Sequence, residues 1–284
     1  MYEHYLNEIH NYCRRKNLSP KTEESYLFSI KRFLRFVGDN HQEFTCQDVR
    51  DFLDADLLRG KSPRSVNTVS VHIRCLYENV LNIVWDYGLL PIMRFDKKLP
   101  VVLSRDEIDL LIDSTKNLKH KAMFAITYSG GLRVGETCRL RYEDISRKTM
   151  QIHVCKTKGR SDRYTILSEK CLDILTEYWF KCGRPTGILF PSRLTHDCLS
   201  VNTLEKAFTE IKVQTGINDK ATLHSLRSSF ATHLLEDGVS IKDIQILLGH
   251  TSMQVTEVYL KVANKHLMGI KSPYDWNRGD SDAR

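Results

Sequence analysis

The chain has 284 residues, 41% of them hydrophobic and 27% charged, with a formal net charge of +7 at pH 7. This composition is typical of a folded protein long enough for two domains, and it excludes a disordered chain. No apolar run approaches the roughly 20 residues of a membrane-spanning helix. The eight cysteines are scattered and the N-terminus lacks a secretory pattern. We therefore expect reduced thiols, no metal site and a cytoplasmic protein.

Residues 1–88 predict a bundle of four helices with short connections. The first helix begins near Tyr2. Two others begin at Ser19 and Ser62, each a serine cap followed by a proline at the first helical position. The remaining helix begins at Thr45, with an aspartate three residues on that completes a capping box.

Residues 89–103 contain two prolines and a basic cluster, which predict a linker. Residues 104–284 predict a second domain, mainly helical, which opens with a capping box at Ser104. The fold class is therefore mainly α (α+β). Its clear β element is a hairpin of residues 151–155 and 163–167, rich in β-branched and aromatic residues and joined by a polar turn. Further helices are expected at about 169–182, 203–215, 222–237, 241–248 and 252–260, the last capped by Thr251.

Six side chains of the second domain together offer what a phosphodiester requires if a protein hydroxyl is to attack it without a metal ion. Guanidinium groups hold phosphate oxygens, imidazole and ammonium groups transfer protons, and a phenol can act as the nucleophile. The sequence has no evident cluster of carboxylates of the kind a two-metal nuclease uses, and no phosphate-binding loop that would indicate ATP use. The six residues are Arg133, Lys158, His224, Arg227, His250 and Tyr259.

Each of these residues, taken alone, also fits a structural role. Arg133 can pair with Glu136 inside the fold, and Lys158 can be a solvated lysine of a turn. His224 and Arg227, three residues apart, can be surface groups of an amphipathic helix. Tyr259 can be a packed ring with its hydroxyl at the surface. His250 can be a structural neighbour of Gly249, the glycine that ends the preceding helix. Only their order and spacing together favour one site.

The order of these motifs resembles that of the tyrosine recombinase (phage-integrase-like) family. The sequences Gly-Gly-Leu-Arg133-Val-Gly-Glu, His224-Ser-Leu-Arg227, Leu-Leu-Gly-His250 and the following Tyr259 are similar to that family's motifs. Lys158 resembles the catalytic lysine that the family carries on its β-hairpin. Lys156 lies close by and is the alternative for this role. One departure is Gly135, where many members carry serine. The N-terminal helix starts are similar to those of the family's SAM-like core-binding domain. The C-terminal segment Gly-Ile-Lys-Ser-Pro-Tyr-Asp, residues 269–275, resembles the tail of integron integrases.

The resemblance implies a mechanism. Tyr259 is expected to attack the scissile phosphate and form a 3′-phosphotyrosyl intermediate. His224 would act as the base, Arg133 and Arg227 would hold the phosphate oxygens, and Lys158 would protonate the leaving 5′-oxygen. His250 would contact the phosphate or support the tyrosine. The reaction is expected to need no metal, cofactor or ATP.

The resemblance also implies partners, namely double-stranded DNA with inverted-repeat recombination sites and a homotetramer on two such sites. A type IB-topoisomerase-like enzyme and a DNA-binding regulator with an inactive site are the alternatives. The biological role stays open between integration of a mobile element, cassette capture and chromosome-dimer resolution. The residues expected to contact DNA are Lys21, Arg64, Asn67, Arg139, Lys156, Arg160 and Arg163.

Overall fold

The structure is a computed structural model that describes residues 2–38, 43–96, 98–155, 162–184, 186–192 and 197–263. The chain divides into two compact units, residues 1–97 and 98–284. This division falls inside the segment 89–103 that the sequence predicts as a linker. Within the described residues, no helix is both long and apolar enough to span a membrane.

The first unit is a helical bundle, and its helices begin where the sequence predicts. Ser19 and Ser62 each accept a hydrogen bond from a backbone N–H of the first helical turn, and Thr45 forms a full capping box. A short π-helix, Tyr77–Leu81, continues from the fourth helix, and the Tyr77 ring is fully buried in the core. The four helices are α1 (Glu3–Arg15), α2 (Pro20–Val37), α3 (Cys46–Leu58) and α4 (Pro63–Leu76).

The second unit combines helices with a small antiparallel sheet. The sheet has the order β1-β2-β3, and the predicted hairpin pairs His153 with Tyr164. Strand β1 was not predicted, because two residues are too short for an alternating pattern to be recognised. The elements are α5 (Arg105–Ser114), α6 (Leu118–Ser129), α7 (Val134–Arg139), β1 (Ile145–Ser146), β2 (Gln151–Val154), β3 (Arg163–Ile166), α8 (Glu169–Lys181), α9 (Val201–Thr215), α10 (Leu223–Glu236), α11 (Ile241–Leu248) and α12 (Met253–Thr256).

The segment before Tyr259 differs from the prediction of one continuous helix over 252–260. Helix α12 lasts four residues and is followed by a 3₁₀ turn, Glu257–Tyr259. The N-cap is Ser252 rather than Thr251, and its side chain makes no capping hydrogen bond. Without a cap the first turn of a helix leaves its N–H groups unpaired, which weakens so short a helix.

Candidate active site

Helix α10 carries two of the predicted residues, His224 and Arg227. It runs through the interior of the second unit, and nearly all of its side chains are buried. The Arg227 side chain is 1% exposed, whereas His224, in the first turn, lies at the surface. The first turn of a helix has unpaired N–H groups and a partial positive charge, which favour an anion.

Gly131 brings the Arg133 motif against α10. Its φ of +59° is in the left-handed region, and an added Cβ would lie 2.3 Å from Cδ1 of Phe230. Only glycine therefore permits both this turn and this close approach. The Gly131 carbonyl accepts a hydrogen bond of 2.6 Å from Nη1 of Arg227. The glycine pair thus joins the motif of Arg133 directly to the second arginine.

The carboxylate of Glu136 is shared by three arginines. Arg133 donates to it from its backbone N–H at 2.8 Å and from Nη1 at 2.9 Å. Arg163 donates to both carboxylate oxygens, at 3.0 and 2.7 Å. Nη1 of Arg227 lies 3.8 Å from Oε2. Burial alone would raise the pKa of Glu136, but the hydrogen bonds from Arg163 and Arg133 lower it to about 2, so this carboxylate is ionised at neutral pH.

The pairing of Arg133 with Glu136 shows that the structural and functional interpretations of Arg133 are compatible. The side chain of Arg133 remains 25% exposed while Nη1 contacts the carboxylate. It also lies 3.5 Å from the carbonyl oxygen of Leu248. The ion pair therefore orients a guanidinium that still reaches the surface.

Arg163 lies inside the fold, which is not the placement expected of a residue that contacts DNA. Its side chain is 9% exposed and bidentate to Glu136. Its Nε donates to the carbonyl oxygen of Leu247 at 2.9 Å. A Cβ on Gly249 would come within 2.7 Å of its Cδ. The sequence offers no local signal for this role, because Arg163 and its partner are 27 positions apart.

His250 joins Arg227 to the segment that carries Tyr259. Its Nε2 lies 3.0 Å from Nη2 of Arg227, and its Nδ1 lies 2.9 Å from Oγ1 of Thr256. A guanidinium can only donate, so Nε2 accepts and the proton of the neutral ring is on Nδ1, which donates to Thr256. Nη2 of Arg227 also donates to the carbonyl oxygen of Leu248 at 2.7 Å. The ring is therefore fixed in one tautomer and one orientation.

The buried charge of Arg227 is partly compensated. Desolvation and repulsion from Arg133 lower its pKa to about 9, against the attraction of Glu136. This value is above neutral pH, so the guanidinium stays protonated. The three arginines and one carboxylate leave a surplus of two positive charges around this point of the fold. A cation is thus not expected to bind there, because the carboxylate of Glu136 is already engaged.

Tyr259 is 4% exposed and belongs to a hydrophobic cluster with Phe230, Ile244 and Leu248. Phe230 lies on α10, and Ile244 and Leu248 lie on α11, so the tyrosine packs against these two helices. Leu248, which belongs to this cluster, also accepts a hydrogen bond from Arg227 at its carbonyl oxygen. The tyrosine therefore lies beside the arginine cluster, with its ring in the core.

His224 is at the exposed edge of the same cluster. Partial desolvation of the ring, and then the positive charges of Arg227 and Arg133, lower the pKa of His224 from 6.5. The ring is thus neutral at pH 7 and able to accept a proton. A bound phosphate has the opposite effect, because a nearby anion favours the protonated ring.

The structure thus brings five of the six predicted residues into one region around α10. Arg133 and Arg227 both donate to the carbonyl oxygen of Leu248, and His250 accepts a hydrogen bond from Arg227. His224 lies on the same helix as Arg227. Lys158 lies outside the described residues, as do Lys156 and Arg160.

The remaining residues predicted to contact DNA divide into two groups. Lys21, Arg64 and Arg139 are exposed. Asn67 instead uses both ends of its amide within its own unit, donating to the carbonyl oxygen of Met93 at 2.8 Å and accepting from its N–H at 3.0 Å. The placement of Asn67 is that of a structural residue, because its polar atoms are already hydrogen-bonded.

Comparison with known proteins identifies the family. The phage integrase family model matches residues 101–266, and the phage integrase N-terminal SAM-like domain model matches residues 5–87. The first match alone covers more than half of the chain. The chain belongs to the phage integrase family, the tyrosine recombinases. The predicted family, fold class and enzyme class are thereby confirmed.

Relatives match this tyrosine recombinase over nearly its whole length. The putative integrase/recombinase y4qK of Sinorhizobium fredii is 32% identical over 263 residues, which cover 92% of this chain and 85% of that protein. The tyrosine recombinase XerA of Pyrococcus horikoshii is 31% identical over 264 residues, which cover 92% and 90%.

Solved structures support the same fold. A crystal structure of XerA recombinase is similar with a TM-score of 0.56 and 27% identity, over 97% of this chain and 99% of that one. The XerH recombinase bound to its palindromic difH substrate gives a TM-score of 0.73 at 18% identity, over 92% and 82%. The second likeness concerns the fold alone.

Proposed function

We propose that this protein is a site-specific DNA recombinase that cleaves and rejoins DNA strands through a 3′-phosphotyrosyl intermediate. The observation that carries the proposal is the network of Arg133, Arg227 and His250 around Glu136, beside Tyr259. An oriented pair of guanidiniums, one buried and one partly exposed, suits a phosphate whose charge increases in the transition state. The family of the chain supports the same chemistry.

The charge of the cluster fits this step. A phosphodiester carries one negative charge, and the five-coordinate phosphorus formed by attack of a phenolate carries two. The surplus of two positive charges among the arginines and Glu136 matches the second state better than the first. Because the arginines are held by the protein before the substrate arrives, they do not need to reorganise during the reaction.

The steps conserve bonds and charge. His224 accepts the proton of the Tyr259 hydroxyl, the phenolate oxygen forms a bond with phosphorus, and the bond to the 5′-oxygen breaks. Lys158 gives a proton to that departing oxygen. In the reverse direction another 5′-hydroxyl attacks the phosphotyrosine, so the strand is rejoined without ATP.

Tyr259 must leave its buried position to reach a phosphate. Its ring is 4% exposed, and the segment that carries it begins without a side-chain cap. A short, weakly capped helix is held mainly by packing, so its displacement costs less than that of a long capped helix. We infer that binding of DNA moves this segment and brings the hydroxyl to the phosphate held by Arg133 and Arg227.

The proposed partner is double-stranded DNA with inverted-repeat sites, bound by both units of the chain. The proposed domains are a core-binding domain at residues 1–88, a linker at 89–103, and a catalytic domain at 104–284 with a C-terminal subunit-exchange tail. Lys21, Arg64 and Arg139 are exposed cations that suit phosphate contacts. A homotetramer on two sites and a role in a mobile genetic element complete the proposal, with action at DNA in the cytoplasm.

Covalent capture of DNA tests the proposal. Binding sites are selected from random duplexes, and substrates nicked near the centre of each site trap the intermediate because the free 5′ fragment diffuses away. We expect a protein–DNA adduct that resists denaturation in the wild type, and none in Tyr259→Phe, which keeps the ring and its packing. Tyr142→Phe, a control at a tyrosine that is 44% exposed, should react like the wild type.

Other outcomes identify the alternatives. An undiminished adduct in Tyr259→Phe contradicts the assignment of the nucleophile. Binding without any adduct in the wild type indicates a regulator with an inactive site. An adduct formed by monomers that relax supercoils but never exchange strands between two sites indicates a topoisomerase-like enzyme.

A further inference from the structure

A second cluster of chemically active side chains lies on the β-sheet, apart from the arginine cluster. His153 and Cys155 are two positions apart at the end of β2, so both point away from the face on which Ile152 and Val154 are buried in the core. Asp144, in the turn before β1, reaches the same face. The residues proposed to act on DNA do not use this cluster.

The three potential ligand atoms have the spacing of a tetrahedral zinc site. Cys155 Sγ lies 3.3 Å from Asp144 Oδ1 and 3.5 Å from His153 Nδ1, and the latter two atoms are 3.7 Å apart. With Zn–S near 2.3 Å and Zn–N and Zn–O near 2.0–2.1 Å, ligand atoms around a tetrahedral ion are about 3.3–3.6 Å apart. The observed triangle needs adjustments of only a few tenths of an ångström to hold the ion.

The surroundings orient these atoms toward a common point. The second oxygen of Asp144, Oδ2, accepts the backbone N–H of Arg141 at 2.8 Å, which leaves Oδ1 toward the other two residues. The imidazole of His153 stacks on the ring of Tyr164, with centroids 4.9 Å apart and planes inclined by 26°. Two of the three candidate ligands are therefore held in place before any ion arrives.

The other nitrogen of His153 has the partner that a metal-binding histidine normally has. Nε2 lies 3.6 Å from Oδ2 of Asp162. A carboxylate on the nitrogen opposite the metal fixes the tautomer that ligates and increases the basicity of the ring. At 3.6 Å these two atoms are not hydrogen-bonded, and a shift of a few tenths of an ångström would let Asp162 supply the outer interaction of a carboxylate–histidine–metal arrangement.

We propose that Asp144, His153 and Cys155 form a binding site for Zn²⁺ or a similar borderline-soft divalent cation, with solvent as the fourth ligand. On binding, the S–H bond of Cys155 breaks, its proton leaves to solvent, and the thiolate forms the Zn–S bond. The side chain of His153 is 31% exposed and that of Asp144 is 8% exposed, and Cys155 is exposed. An ion can therefore enter from solvent and keep an open position.

The site joins three separate points of the chain. It ties the turn at Asp144 to the end of β2, and through Asp162 to the start of β3. Lys158 lies between Cys155 and Asp162 in the sequence. Bound zinc would thus hold both chain ends that flank the lysine proposed as general acid, although the binding of the ion does not depend on that role.

Titration of the reduced, tag-free full-length protein with Co²⁺ tests the proposal. Cobalt replaces zinc in tetrahedral sites, and a thiolate ligand adds a charge-transfer band in the near ultraviolet. We expect one Co²⁺ per chain with this band, displaced by Zn²⁺, and loss of the band in Cys155→Ser and in His153→Gln. Asp162→Asn should weaken the affinity about 10- to 100-fold, as loss of an outer partner does.

Cys182→Ser is the matched control, because Cys182 is also an exposed free cysteine but is not among the clustered residues. It should keep the band and the stoichiometry. A band that survives Cys155→Ser, or the lack of any band at saturating Co²⁺, overturns the proposal. If His153→Gln fails to fold, Cys155→Ser decides alone, since it changes one atom at the surface.

Discussion

Glu136 provides the sharpest test of how the arginine cluster is held together. The substitution Glu136→Gln keeps the size and one carbonyl oxygen but removes the charge shared by Arg133, Arg163 and Arg227. It leaves buried guanidiniums without compensation, which typically costs about 3–5 kcal/mol. We therefore expect the second unit to be destabilised far more than by a surface substitution.

The pKa of Glu136 gives an independent magnitude. The pKa falls from 4.5 in the unfolded chain to about 2 in the fold, which is equivalent to about 3 kcal/mol in favour of the folded, ionised state. Because the folded pKa is the lower one, this stability is present above pH 4.5 and is lost as the pH falls toward 2. Roughly 60% of it is lost by pH 3.

Urea unfolding measures both effects. In a background with Trp85 and Trp276 replaced by Phe, fluorescence of Trp179 reports on the second unit alone. We expect Glu136→Gln to lower the free energy of unfolding by about 3 kcal/mol at pH 7, and the difference from the wild type to shrink to about 1 kcal/mol at pH 3. Glu143→Gln, which breaks an exposed pair with side chains 61% and 62% exposed, should change stability by less than about 1 kcal/mol. A Glu136→Gln protein as stable as the wild type at pH 7, or a difference independent of pH, would refute the reasoning.

Three further predictions concern the geometry of the site. Gly131→Ala should lower the free energy of unfolding by about 2–4 kcal/mol, because it strains the backbone and overlaps with Phe230. The control Gly216→Ala, at φ +65° in open space, should cost only about 1 kcal/mol. Thermal unfolding measures both, and equal losses would contradict the argument that packing against Phe230 requires glycine. Thr256→Val removes the hydroxyl that accepts the Nδ1–H of His250. It should slow single-turnover cleavage about 10-fold and leave DNA affinity unchanged. An unchanged rate would exclude a role of Thr256 in orienting His250. The pH profile of kcat/KM should show an acid limb with its midpoint below 6.5, because the pKa of His224 is lowered; a limb above 6.5 excludes neutral His224 as the base in the free enzyme.

The helix starts were predictable because caps are local chemistry. Ser19, Ser62 and Ser104 each accept a hydrogen bond from the backbone N–H three residues on, so the side chain and its target lie within one turn. The end of the chain was less predictable. The pattern over 252–260 suggests one helix, but its N-terminus has no side-chain cap, and the last turn before Tyr259 is 3₁₀.

The candidate site was predictable in its residue types but not in its support. Order and spacing pointed to Arg133, Arg227, His250 and Tyr259, and the fold brings all four together. Arg163 was expected on the DNA, because a basic residue of a polar hairpin has no visible partner in the sequence. Its actual partner becomes apparent only when β3 and α7 are adjacent in space.

Arg163, which lies inside the fold, alters the charge balance around Glu136. A carboxylate that served Arg133 alone would cancel one of the two charges intended for phosphate. Since Arg163 takes both oxygens of Glu136 in a bidentate pair, it offsets that loss. Arg133 and Arg227 then keep their attraction for phosphate while Glu136 still fixes their position. A cluster of two guanidiniums without a carboxylate would repel itself, and one with a carboxylate but no third arginine would be weaker toward an anion. The third arginine satisfies both requirements at once.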